Sequence, residues 1–242
     1  MIAKDILKYA QEHWLSDSGY KKTITEISKS GTSKALVESS KEIFCFDDIS
    51  CDLYKRKDCL PTSADGIIIT DNKKIYLVEF KSGFKKKITK NNLDKEKASC
   101  EYKNGFCNDY WDLFFRHQKT ETRQLIDSIR EKAIESYITL EKRLFPQCSD
   151  LMSTKKYELI FIVVIDEDGL DNMESALGEL SLKEPPANNC FSDIRKSLKH
   201  CLKQKDYVGN DYYYDDIKVM SPYDFKFFVN NSKISIWFLK QI

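Results

Sequence analysis

Two short runs constrain this chain more than anything else in it. They are Gly66-Ile67-Ile68-Ile69-Thr70 and Lys74-Ile75-Tyr76-Leu77-Val78-Glu79-Phe80-Lys81, separated by Asp71-Asn72-Lys73. β-Branched and aromatic residues flanking a short polar turn read as a β-hairpin. Apolar residues fill consecutive positions in both strands, not alternate ones, so both faces of the hairpin must be covered by other elements. The hairpin is therefore expected in the middle of a sheet with helices on each side.

The rest of the chain supplies the cover. Ile2, Ile6, Leu7, Ala10 and Trp14 recur at helical spacing and predict an opening helix that ends at Ser16 to Gly19. A shorter helix is expected over Ser33 to Lys41, then a strand over Ile43 to Phe46, with the polar stretch to Ser63 unassigned. Gln124 to Phe145 reads as a long amphipathic helix with Ile126, Ile129, Ala133, Tyr137, Leu140 and Leu144 inward, stopped by Pro146. Tyr157 to Ile165 is a second buried strand, closed by the turn Asp166-Glu167-Asp168-Gly169. A helix over about 190 to 203 turns Phe191, Ile194, Leu198 and Leu202 inward. Ile217 to Met220 is a short strand, and Ser221-Pro222-Tyr223-Asp224 is a helix start with a hydroxyl cap, Pro at the first position and an acid three residues on. That helix runs to about Val229, and Ile234 to Leu239 is a last strand candidate. No repeat or linker divides the 242 residues, and Pro185-Pro186 marks only a loop. One α/β domain over 1–242 is expected.

Composition excludes several classes. Thirty-nine Lys plus Arg against 38 Asp plus Glu leave a net charge of +1, so a polyanion would have to be held by a local patch. Eight Cys without a C-x-x-C pair or a secretory leader read as reduced thiols of a cytoplasmic protein. No His-Cys spacing for zinc can be built around His117, Cys100 or Cys107, and Cys148, Cys190 and Cys201 are too scattered for an iron-sulfur cluster. The longest apolar run, Leu159 to Ile165, is far too short to cross a bilayer, so no membrane role is expected.

The hairpin also carries chemistry. A turn centred on Asn72 pairs residues equidistant from it, which sets Asp65 across from Glu79. Opposed side chains of an antiparallel pair lie roughly 5 Å apart at Cβ, close enough for one hard cation to bridge both carboxylates. The period of two along a strand brings Lys81 out on the face of Glu79. A register slip of one residue would send one acid to the opposite face. Carboxylate oxygens suit Mg²⁺ or Mn²⁺, which keep several waters and take substrate phosphate oxygens, so a phosphodiester is the expected substrate. Lys81 would orient water or neutralise phosphate charge beside the metal.

Asp65 followed by Glu79-Phe80-Lys81 resembles the signature of the PD-(D/E)XK nuclease superfamily, an acid on one strand and acid-x-Lys on the next. Ala64 stands where the name-giving proline would be. The resemblance implies a restriction-endonuclease-like αβββαβ core over about 1–165, a mixed sheet flanked by helices, with a C-terminal α/β elaboration over about 166–242. It implies Asp65, Glu79 and the Phe80 carbonyl as metal ligands, Lys81 as catalytic lysine, Mg²⁺ or Mn²⁺ as cofactor, and nucleic acid, DNA before RNA, as substrate. Members of the family also use an acid from the first helix, for which Glu38, Glu26 and Glu12 are candidates, Glu38 foremost. Acid-x-Lys alone is unspecific: Asp71 to Lys73, Glu101 to Lys103, Asp216 to Lys218 and Asp224 to Lys226 also fit it, and the buried strand singles out Glu79 to Lys81.

Two basic runs flank this site in sequence. Lys85, Lys86 and Lys87, with Lys90, follow the hairpin, and Lys119 and Arg123, with Arg116 and His117, lead into the long helix; either could hold phosphates. Solvated lysines are the plainer alternative, just as Glu79 and Lys81 could be a surface ion pair. Tyr212-Tyr213-Tyr214 is expected to be core edge or the face of a homo-oligomer before a base-stacking platform. The rival to a nuclease is the same fold without activity, serving as a nucleic-acid-binding or protein-interaction module.

Overall fold

A computed structural model describes residues 18–29, 34–54, 60–70, 74–82, 108–148, 157–166, 190–202 and 213–231; for 108–122, 148 and 190–193 the description covers the backbone only. The elements in chain order are β1 (Lys21–Thr23), α1 (Ile24–Ile27), β2 (Glu42–Cys45), α2 (Phe46–Leu53), β3 (Gly66–Ile69), β4 (Lys74–Lys81), α3 (Asn108–Thr139), a π turn (Leu140–Leu144), α4 (Phe145–Cys148), β5 (Glu158–Ile165), α5 (Cys190–Leu202), β6 (Asp216–Met220) and α6 (Pro222–Asn231). The six strands form one mixed sheet in sequence order. β1 to β4 are antiparallel neighbours, whereas β4 to β5 and β5 to β6 are parallel.

The hairpin lies in the interior of the sheet. Every residue of β3 is buried, and β4 is buried from Ile75 to Glu79. Thr70 closes the connection, its N–H and hydroxyl both donating to the Lys74 carbonyl at 3.0 and 3.2 Å. Residues 71–73 of the turn lie outside the described residues.

Strand alternation divides the apolar residues between two layers. Ile67, Ile69, Ile75, Leu77, Leu159, Phe161, Val163 and Ile217 pack with Ile129, Ala133 and Leu140 of the long helical segment and with Ile194, Leu198 and Leu202 of α5. Ile68, Tyr76, Val78, Ile160, Ile162 and Val164 pack on the other face with Ile24 and Ile27 of α1 and Phe225 and Val229 of α6. This is why neither strand of the hairpin alternates with polar residues: helices cover both faces. Among the described residues no helix is long and apolar enough to cross a membrane.

Several expectations need correction. No helix forms over 34–41. That segment runs back along α1 and spends its backbone groups across the gap: Leu36 N–H donates to the Ser28 carbonyl, Ile24 N–H to that of Lys41, and Val37 N–H to Ser28 Oγ. A four-residue helix, α1, stands before it instead, nucleated by a capping box in which Thr23 and Glu26 exchange side-chain and backbone hydrogen bonds. Phe46 opens α2 rather than ending β2, and α2 occupies part of the unassigned stretch. The long helix begins at Asn108, well before Gln124. Pro146 does not stop it at 145: Phe145 N–H reaches back to the Leu140 carbonyl in a widened turn, and the helical path continues through Pro146 to Cys148. Tyr214 agrees with the core alternative: it is fully buried, donates to the Ala133 carbonyl at 2.7 Å and meets Tyr137 edge-on and Phe161 at a tilt. Ser221 caps α6 as its sequence implies, accepting from Asp224 N–H at 3.1 Å. The expected opening helix and the strand over 234–239 lie outside the described residues.

Candidate metal centre at the end of the hairpin

β3 and β4 pair Gly66 with Val78, Ile67 with Leu77, Ile68 with Tyr76 and Ile69 with Ile75, the register of a turn centred on Asn72. One step beyond Gly66 and Val78, Asp65 and Glu79 come to the same end of the sheet, on the face that carries Ile67 and Leu77 and that α3 covers. Neither acid is at the surface: Asp65 is 3% exposed and Glu79 1%.

Asp65 is held at both ends of the residue. Its carbonyl accepts from Phe46 N–H at 3.0 Å, the first amide of α2, and its Oδ2 accepts from Phe80 N–H at 2.7 Å. The loop leading to it is tied to α3, since Ala64 N–H donates to the buried Ser136 Oγ at 2.7 Å and the Thr62 hydroxyl donates to Glu135 Oε2 at 2.7 Å. Ser63 donates its hydroxyl to Asp47 of α2. The strand, the loop and two helices thus fix the position of one residue.

A single cation joins the two acids. Lys132 Nζ of α3 lies 3.2 Å from Asp65 Oδ1 and 2.9 Å from Glu79 Oε2. One ammonium cannot neutralise two carboxylates, and the electrostatics reflect this. Burial, then the charge of Asp65, pushes Glu79 up to about 8, and Lys132 offsets only part of the rise. Burial also raises Asp65, against the pull of Lys132 and the Phe80 N–H. Burial works against the Lys132 ammonium, yet Glu79 and Asp65 override it and hold its pKa above the ordinary range. The pair is poised to share one proton and one cation.

Lys81 emerges on the same face as Glu79 and is half-buried, with no hydrogen bond or ion pair among the described residues, though its charge lowers the pKa of Glu79. Phe80 N–H points to the edge that carries Asp65, and within a strand the C=O of the same residue points to that edge too. Beyond Gly66 there is no β3 ladder to consume it. Asp65, Glu79 and Lys81 therefore come to one end of the hairpin as their spacing implied, beside the Phe80 carbonyl that the resemblance implied.

Of the other candidates, Glu26 and Glu38 are not brought there. Glu26 is exposed and engaged in the capping box of α1, and Glu38 is exposed next to Val37; both neighbours, Ile24 and Val37, belong to the layer on the far side of the sheet from Asp65 and Glu79. Arg123 is on α3, exposed, 3.9 Å from Asp127. Lys119 is placed by its backbone on the same helix, and Glu12, Lys85, Lys86 and Lys87 lie outside the described residues.

Two residues of the site went unread in the sequence. Lys132 is three positions after Ile129 and beside Ala133, on the flank of the stripe that faces the sheet, and a charge there was the available signal. Asp47 acts through its charge on both Asp65 and Lys132 and comes from α2, an element that composition did not reveal.

Does this donor set suit a metal? Two buried carboxylates, turned by their surroundings toward one point and already sharing a cation there, are the oxygen set that a hard divalent ion takes. Among the described residues no cluster of three or more His, Cys, Asp or Glu is assembled for a metal, so Asp65 and Glu79 would need water, a backbone carbonyl or substrate to complete the shell. Comparison with protein-family models, curated proteins and solved structures returns no match, and the functional reading rests on this geometry.

Proposed function

We propose that this chain is a divalent-metal-dependent nuclease of the PD-(D/E)XK type that hydrolyses nucleic-acid phosphodiester bonds. The observation that carries the reading is the buried pair Asp65 and Glu79 converging on one cation position, with Lys81 on the same face. A fold does not need two nearly inaccessible acids at the end of a hairpin this apolar, and desolvated carboxylates with a specific charge partner are the kind of group that functional sites assemble. The arrangement of β2, β3 and β4 as an antiparallel meander, followed by α3 and a parallel β5, supports the αβββαβ reading.

Asp65 and Glu79 would hold Mg²⁺ or Mn²⁺, with the Phe80 carbonyl as a further ligand. The bound ion would supply charge stabilisation at the scissile phosphate and an acidified water. Lys81, at the end of β4 and without a hydrogen bond or ion pair among the described residues, would donate to a phosphate oxygen and orient water toward phosphorus. The hydrogen bond from Phe80 N–H fixes the Asp65 carboxylate, so little reorganisation remains when charge develops. DNA is the substrate favoured by the resemblance, and the basic segments at Lys85 to Lys87 and at Lys119 and Arg123 would hold the flanking backbone.

A second reading has its own observation: the Lys132 ammonium already occupies the cation position, as it would in a nuclease fold retained only for binding. Incubation with supercoiled plasmid, linear duplex, single-stranded DNA and RNA, in EDTA, Mg²⁺ or Mn²⁺, separates the two. Metal-dependent cleavage that disappears in Glu79→Gln supports the enzyme; binding without cleavage in every metal refutes it.

A further inference from the structure

We infer that Lys132 is the site's own counter-cation, a gate that closes the Asp65–Glu79 pair when metal is absent and must swing away before a divalent ion can enter. The inference rests on the metal-site reading of that pair. Lys132 Nζ stands within 3.2 Å of one oxygen of each carboxylate, so the ammonium and a bridging metal would compete for the same point.

Three features make Lys132 displaceable rather than fixed. Its side chain is 26% exposed where its two partners are 3% and 1% exposed, so the solvent-facing way out of the site runs along the lysine stem. Its backbone is immobilised, because α3 is bound to the 62–64 loop through Ser136 and Glu135, so entry of metal needs a rotamer change and no movement of the helix. A second acid is at hand as well. Asp47 is half-buried at the start of α2 and its charge already acts on Lys132, so a displaced ammonium still has a carboxylate in its electrostatic surroundings.

The arrangement also has a reason. Two buried carboxylates with no cation repel across the end of β3 and β4, and the metal-free fold would carry that strain. Lys132 relieves it in the apo state, and the gain is forfeited when metal binds. The expected cost is weaker metal affinity than the bare acid pair would have, together with an apo protein that folds without metal.

The test measures Mn²⁺ binding to the full chain by loss of the free-ion electron paramagnetic resonance signal, for wild type, Lys132→Met and Glu79→Gln. Lys132→Met should bind Mn²⁺ at least about tenfold more tightly than wild type, since a charge competing at the ligand oxygens is removed. Its melting temperature should be lower than wild type in EDTA and should rise more on adding Mn²⁺. In wild type, Mn²⁺ should increase acetylation of Lys132 by an amine-reactive ester, read by mass spectrometry. Equal or weaker Mn²⁺ binding by Lys132→Met, with wild type binding in a Glu79-dependent way, overturns the gate and leaves the metal site standing. Absence of Mn²⁺ binding in both wild type and Lys132→Met overturns both. If Lys132→Met does not fold in EDTA, recovery of folding by Mn²⁺ supports the inference. If it folds in neither condition, Lys132 acetylation in wild type decides, and labelling unchanged by saturating Mn²⁺ overturns it.

Discussion

Raising the pH should destabilise the metal-free protein, and Glu79 should be the reason. In the folded state burial and the Asp65 charge lift its carboxyl to about 8, against an ordinary value of 4.5. The native protein therefore retains a proton that the unfolded chain has released over that window. A raised acid contributes stability that is complete below about 4.5 and lost as the pH climbs through about 8. The gap of about 3.5 at 1.36 kcal/mol per unit sets a ceiling of roughly 5 kcal/mol. Asp65 is also raised and shares the same ammonium, so the two acids titrate as a unit and half of that ceiling is the more useful expectation. About 2–3 kcal/mol corresponds to roughly 5–10 °C in melting temperature for a chain of this size. Urea and thermal unfolding in EDTA between pH 5 and pH 9 would measure it, beside Glu79→Gln, whose amide cannot titrate. The wild-type curve should fall with pH and the variant's should be flat by comparison. Lys132 does not confuse the result, because its folded pKa is raised above 10.5 and its own contribution is lost only at higher pH. Parallel pH profiles for wild type and Glu79→Gln would refute the account. Saturating Mn²⁺ should remove the fall, since the ion replaces the proton on the pair.

Asp65→Asn and Lys81→Ala should each abolish metal-dependent cleavage while leaving the far-ultraviolet circular dichroism of the fold intact, and the double variant should lose little more, because groups acting on one reacting centre are not additive. Ser136→Ala leaves the buried Ala64 N–H without its acceptor and should cost about 1–3 kcal/mol in urea unfolding, with cleavage reduced through the loop that ends in Asp65. A Cβ at Gly66 would come within 2.7 Å of Ile43 Cδ1, so Gly66→Ala should destabilise by about 1 kcal/mol, and most of that should be recovered in an Ile43→Val background that lacks the methyl. Joint replacement of Lys85, Lys86 and Lys87 by Ala should weaken DNA binding and make the slope of log affinity against log salt shallower by roughly 0.9 per lost contact, with turnover at saturation little changed; the same pair of measurements on Lys119 and Arg123 tests the helix side.

Local pattern determined the hairpin, its register and the placement of Asp65, Glu79 and Lys81, because the period of a strand is two and a short turn permits one pairing that keeps both acids on one face. It also determined the buried stripe of α3 and that of α5, since Ile129, Ala133, Ile194 and Leu198 recur at the helical period. Where tertiary contacts compete with propensity, the local pattern lost. The segment 34–41 contains helix-compatible residues, but its amides at Leu36 and Val37 are claimed by Ser28 and its carbonyls at Ser39 and Lys41 by Thr25 and Ile24, so no helix forms. Pro146 looked like a stop, and one widened turn absorbed it. The partner of the two carboxylates was decided by packing alone. Lys132 lies far from the hairpin in sequence, and nothing in acid-x-Lys spacing points to a lysine on α3; only the docking of that helix across the sheet, fixed by Ser136 and Glu135, brings its ammonium between Asp65 and Glu79. The sequence could show that two acids meet, because that follows from one strand pair, whereas which cation answers their charge depends on how separate elements pack, and no local rule encodes that.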